Sequence, residues 1–194
     1  PADQFLILNQ VNLQLVAANP SATRLWSVPV AGTPTTSNAF MYDVSVVDNI
    51  DQEMTMVLGP GERLYGRCET DSTVACRVDG YLLASKTLPT PKVFFRGLLS
   101  DTYAEVAFTI NQLQGVVKFV SVANTSGTDR TVDISVTTHG VAPTDSGAIR
   151  RAMTVPANTS VFIPLTMVLA PNEALAAKAD SPGAVAIGVS GVMG

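Results

Sequence analysis

Apolar and polar residues alternate with period two through much of this chain, the signature of strands with one face buried and the other in water. Val74, Cys76 and Val78 alternate with Ala75, Arg77 and Asp79, and Val185, Ile187 and Val189 alternate with Ala186, Gly188 and Ser190. Trp26, Val28 and Val30 read like Val132, Ile134 and Val136, and Met56 and Leu58 like Met167 and Leu169. Turn formers separate these runs at Asn19-Pro20-Ser21, Asp48-Asn49, Gly59-Pro60-Gly61, Asp71-Ser72, Thr125-Ser126-Gly127, Pro156-Ala157-Asn158 and Pro171-Asn172. That rhythm predicts antiparallel sandwiches or barrels. Pro29 inside an apolar run predicts an edge strand or a bulge.

The chain also repeats itself. Thr55-Met56-Val57-Leu58 recurs as Thr166-Met167-Val168-Leu169, displaced by 111 positions (166 − 55). The same displacement pairs Pro60 with Pro171, Glu62 with Glu173, Leu64 with Leu175, Val74 with Val185, Val78 with Val189 and Gly80 with Gly191. Upstream, Ala18-Asn19-Pro20-Ser21 lies over Ala123-Asn124-Thr125-Ser126 at a displacement of 105 (124 − 19). The six extra residues of the second copy then fall mostly between Val136 and Arg151, in loop-like sequence. Asn172 to Ala179 is alanine-rich and helix-prone, but its counterpart Gly61 to Cys68 is not, so the shared element predicts a strand in both. The fold class expected is all-β: two tandem antiparallel β-sandwich modules, jelly-roll or Ig-like, at 1–85 and 104–194. Residues 86–103 form a connector in which Pro89 and Pro91 favour extended chain.

Composition narrows the function. Hydrophobic residues make up 46% and charged residues 14%, which suits a folded chain. A net charge of −4 is a poor match to phosphate backbones or anionic lipid, so neither nucleic acid nor membrane is an expected partner. No apolar run reaches the length of a membrane span, and no signal peptide is visible.

Candidate chemistry is sparse. His139 is the single histidine, beside Gly140 in a loop, with no orienting partner evident from sequence, so no catalytic residue is assigned and an enzyme is not expected. One His and two Cys are too few for zinc, and Asp48-Asn49-Ile50-Asp51 lacks the glycine turn and distal glutamate of a calcium loop, so neither a metal nor a cofactor is expected. Asp101 with Glu105, or Glu62 with Glu69, have no spacing that makes them a catalytic pair. Asn124-Thr125-Ser126 and Asn158-Thr159-Ser160 fit the glycosylation pattern, but turn chemistry explains both. Cys68 and Cys76 flank what reads as a hairpin turn. Cys76 takes the core position of Ile187, and both cysteines are expected as free thiols.

Val120 to Thr128, the alternating Val132, Ile134 and Val136, Val155 to Asn158, Leu169 to Leu175 and Val189-Ser190-Gly191 together resemble small β-sandwich modules of tailed-phage virion proteins. Such modules occur in capsid decoration (cement) proteins, head fibres and tail proteins. The resemblance implies a non-enzymatic virion structural protein on the capsid surface, made in the host cytoplasm. Its implied partners are the major capsid protein or other virion proteins, with a homo-oligomer as the working form, a trimer being what the decoration resemblance suggests. The alternative is a tail or fibre module that binds host-surface carbohydrate. Phe94, Phe95, Arg96, Leu98 and Leu99, in a segment without counterpart in the repeat, are the candidate interface. Their apolar surface would supply several kcal/mol at about 25 cal/mol per Å², either in docking or in packing between the modules.

Overall fold

The computed structural model describes residues 4–16, 20–29, 31–70, 73–84, 89–109 and 113–194. Asn19, Val30, the Asp71-Ser72 turn and residues 86–88 of the connector lie outside them. The first half contains β1 (Gln4–Leu15), β2 (Ser21–Val28), β3 (Ala39–Val46), β4 (Asn49–Leu58), β5 (Arg63–Cys68) and β6 (Val74–Ala84). The second contains β7 (Thr90–Leu98), β8 (Ala104–Phe108), β9 (Gly115–Asn124), β10 (Arg130–Thr138), β11 (Ala148–Val155), β12 (Ser160–Leu169), β13 (Glu173–Ala179) and β14 (Val185–Met193).

Four antiparallel sheets make two sandwiches. The first pairs β4-β1-β6 with β3-β2-β5, and the second pairs β12-β9-β14-β7 with β11-β10-β13-β8. The two halves share one strand order, and the second adds one edge strand to each sheet. The helix-prone segment Glu173–Ala179 is strand β13, paired with β10 and β8, where small alanines fit a face buried on both sides.

The shared sequence marks explain shared turns. Glu62 Oε2 accepts from Gly59 N–H (2.5 Å), and Glu173 Oε2 accepts from Ala170 N–H (2.9 Å), closing the same turn twice. Gly61 and its counterpart Asn172 both take positive φ there, at 77° and 62°. Gly80 and Gly191 sit beside matching bulges in β1 and β9, where Asn9 and Lys118 are the extra residues. A β-carbon on Gly80 would lie 2.1 Å from the Ile7 carbonyl oxygen, and one on Gly191 would lie 1.9 Å from that of Val116.

The upstream register differs from the sequence expectation. Leu15 pairs with Val74 as Asn124 pairs with Val185, and Leu25 pairs with Gly66 as Ile134 pairs with Ala177. The displacement there is 109 (124 − 15), so Thr23 and Leu25, rather than Trp26 and Val28, occupy the places of Val132 and Ile134. Two residues are inserted, not six: the β3–β4 link is Val47-Asp48 and the β11–β12 link is Pro156 to Thr159. The sequence Ala-Asn-x-Ser recurs at 18–21, 123–126 and 157–160 and so fixes no alignment, whereas the hydrogen-bonded ladder defines register.

Each half has its own cluster of buried side chains. One joins Leu8, Val11, Leu13, Leu25, Phe40, Met41 and Leu58, with Phe119 and Phe162 reaching in from the second half. The other joins Val106, Val120, Val122, Ile134, Ile163, Leu175 and Ile187. The expected connector is strand β7 along residues 90–98, laid antiparallel to β14 from Leu98 opposite Ala186 to Thr90 opposite Met193. Pro91 is tolerated because β7 is an edge strand.

The halves are closely docked. The outward face of β9 and β14 carries Ser121, Ala123, Ala186 and Ser190, all buried. These small side chains admit the free edge of β4, where Val57 N–H donates to Ser190 Oγ (3.2 Å) and Ser190 Oγ donates to the Thr55 carbonyl (3.3 Å). Tyr42 N–H of β3 donates to Ser160 Oγ (2.9 Å).

Candidate functional site

The five candidate interface residues lie on or just after β7, and most of them turn inward. β7 carries a bulge opposite Val189 and Ser190, which leaves Phe94 between the paired residues Val93 and Phe95. Adjacent rings on a regular strand would face opposite ways. The bulge lets both half-buried phenyls pack against the second core, and Leu99 is fully within it. Leu98, 38% exposed, is the member that offers apolar surface to solvent. Replacing Phe94 or Phe95 by serine is therefore expected to cost about 2 kcal/mol of stability each, less than a fully buried ring, read as a lower denaturant midpoint with unchanged m-value. Unaltered midpoints would return these rings to a surface role.

Arg96 spans the two halves. Its Nη1 lies 2.6 Å from Glu62 Oε1, an ion contact rather than an aligned hydrogen bond, and Nη2 donates to the Val57 carbonyl. The two side chains are 11% and 15% exposed. Burial lowers the guanidinium pKa, and the Glu62 carboxylate opposes that shift; an arginine stays charged in either case. Arg96 is thus a clamp inside the molecule.

Other residues singled out in the sequence have found partners. His139 Nδ1 is 2.7 Å from Glu105 Oε2, and its ring stacks on Phe108 with centroids 4.6 Å apart. Glu105 also accepts from Gly140 N–H (2.6 Å), so the orienting carboxylate invisible in sequence comes from β8. Asn124 is fully buried. Its amide donates to the carbonyls of Thr128, Val155 and Pro156, and its Oδ1 accepts from Ser126, which makes it a turn clasp. Asp51 accepts from Asn12. Among the described residues no three His, Cys, Asp or Glu side chains gather in a metal-binding group, and no helix is long and apolar enough to cross a membrane.

Cys68 and Cys76 do not face each other across a hairpin, because β5 belongs to one sheet and β6 to the other. Both are free. Cys76 is exposed rather than buried like Ile187, since β6 is an edge strand and β14 is not. Desolvation by the adjoining core pushes its thiol pKa up, which keeps the protonated form dominant at neutral pH. Alkylation of the denatured native protein is expected to count two free thiols. A count of zero would mean the pair is oxidised, after rearrangement of β5 and β6.

A groove of about 830 Å³ with mixed polar and apolar lining opens between the halves. Asn9, Gln10 and Gln52 line one wall, and Lys118 and Phe162 the other. Phe162 stacks on the buried Phe119 with centroids 5.8 Å apart.

No family model matches this chain, and no curated protein matches it in sequence. Solved structures that the chain matches include the VP2 subviral particle of infectious bursal disease virus, at 10% identity and a TM-score of 0.32. The match covers 100% of this chain and 57% of that one. The Gx strain of infectious bursal disease virus gives 12% identity and a TM-score of 0.36, covering 100% and 58%. A fucolectin from striped bass (Morone saxatilis) serum gives 11% identity and a TM-score of 0.28, covering 97% and 79%. The chain spans little more than half the length of the viral chains it matches. Likenesses this loose assign neither family nor activity.

Proposed function

We propose that this chain is a non-enzymatic virion structural protein, a capsid decoration (cement) subunit of a tailed phage that binds the major capsid protein or other virion proteins in many copies. The observation that carries the reading is the welding of two sandwiches into one body by buried small side chains, backbone contacts and the Arg96–Glu62 clamp. A rigid body presents all its contact points to a repeating surface without paying ordering entropy at each, and symmetry multiplies weak contacts into firm attachment. The resemblance of Val120 to Thr128 and Leu169 to Leu175 to phage virion modules supports the same class. Leu98, exposed beside the clamp, is the candidate contact on β7. Quantitative mass spectrometry of purified particles is expected to find hundreds of copies per particle. A handful of copies would overturn decoration in favour of a fibre or tail position.

The groove between the halves favours a second reading, a carbohydrate-binding tail or fibre module. Asn9, Gln10 and Gln52 are the amide donors and acceptors that sugar hydroxyls require, and Phe162 adds an apolar ring. Specific binding on a glycan array, abolished by Gln10→Ala, would favour this reading.

A further inference from the structure

The two copies of the repeat are finished differently. In the second, β7 covers the outer edge of β14; in the first, β6, the counterpart of β14, ends its sheet. The opposite edge of that sheet, β4, is covered by the second half through Val57 and Ser190. β6 is therefore an open edge of the first sandwich, as β5 is in the other sheet, and β1 lies between it and the edge on which the second half docks. Among the described residues, its outer row of N–H and C=O groups has no strand to pair with.

β6 is a weakly protected edge. Exposed edges are ordinarily kept short, or blunted by proline, charged side chains or a bulge on the edge strand itself. β6 runs for 11 residues without proline or lysine, the bulge beside Gly80 belongs to its neighbour β1, and its two charges, Arg77 and Asp79, are of opposite sign and so do not repel a second copy. Apolar positions that β7 helps to close over in the second half stand open here: Cys76 is exposed where Ile187 is 1% exposed, and Val78 is half-buried where Val189 is 1% exposed. Farther along, Tyr81 and Leu82 are 49% and 55% exposed.

The charges on β6 say what fits. Its charged residues are Arg77 and Asp79, two apart and so on one face, with Val78 between them. An antiparallel strand of identical sequence centred on Val78 places Asp79 of the second copy opposite Arg77, and Arg77 of the second copy opposite Asp79. The same register sets Ala75 against Tyr81 and Val74 against Leu82. Opposite charges directly across a ladder stabilise it, and like charges oppose it. We propose that two copies of this chain associate edge to edge through β6, antiparallel about Val78, joining their β4-β1-β6 sheets into one six-stranded sheet across a twofold axis. The Arg77–Asp79 ion pair seen within the strand (3.0 Å), which holds the two side chains 76% and 44% exposed, opens to make two pairs between copies. This inference does not depend on the virion reading.

Sedimentation of the full chain over a wide concentration range tests it, with backbone hydrogen exchange as the local readout. The expected result is a concentration-dependent dimer in which the amides of β6 gain protection on association. Arg77→Asp and Asp79→Arg should each weaken the dimer about tenfold, because two attractive cross-strand pairs become two repulsive ones. Arg77 is exposed and the Asp79 side chain is 44% exposed, so the monomer's melt should change little. An equimolar mixture of the two variants restores opposite charges at both positions and should recover the wild-type association as a heterodimer. A monomer or trimer for the wild-type chain would overturn the proposal. So would a dimer without β6 protection, or variants that associate as before or fail to complement each other.

Discussion

Glu62→Ala is expected to destabilise the chain by about 3 kcal/mol, whereas the same change at its repeat counterpart, Glu173→Ala, should cost about 1 kcal/mol. Both carboxylates accept from a turn N–H, of Gly59 and of Ala170, and both changes remove that charge-assisted bond. Only Glu62 also compensates a buried guanidinium, that of Arg96. Removing it leaves a charge held between the two halves with the Val57 carbonyl as its remaining partner, so the cost is dominated by uncompensated charge. Matched urea titrations of the two variants provide the measurement. Equal midpoints would show that the pair contributes nothing beyond the turn. The double change Glu62→Gln with Arg96→Met, which removes the charge as well as its partner, should recover much of the loss.

Gly191→Ala is expected to cost about 3 kcal/mol or more, at the upper end of overpacking, because the new methyl would meet the Val116 carbonyl oxygen at 1.9 Å and backbone has little freedom to retreat. β14 lies between β9 and β7, so any shift spreads to both ladders. Gly80→Ala meets the Ile7 carbonyl oxygen at 2.1 Å but lies on an edge strand, and should cost less, about 1–2 kcal/mol. Gly188→Ala is the control on β14 itself. Its new methyl would meet a side-chain atom, Ser121 Oγ at 2.7 Å, which a rotamer change relieves. Thermal melts ranking Gly191→Ala at or below Gly188→Ala in cost would contradict the bulge geometry.

By itself the sequence determined the strands, their duplication and the turns that join them. Period-two alternation and the recurring Thr-Met-Val-Leu and Pro-x-Glu marks are local, and local backbone chemistry enforces them in both copies. The repeat also overrode the helix propensity of Asn172 to Ala179, since a shared fold demands a shared β13. Tertiary structure decided the rest. Upstream of β4 the copies align at 109 rather than 105, because ladder hydrogen bonds set register while Asn-x-Ser turns recur without regard to it. The run from Val93 to Leu99 reads as a sticky connector until β14 is there to pair with it, and a bulge is needed to send two adjacent phenylalanines the same way. Arg96 with Glu62, and His139 with Glu105, are 34 residues apart in each case along the chain (96 − 62 and 139 − 105) and adjacent in space. Such pairs carry no period or spacing, because chain topology, not local preference, brings them together.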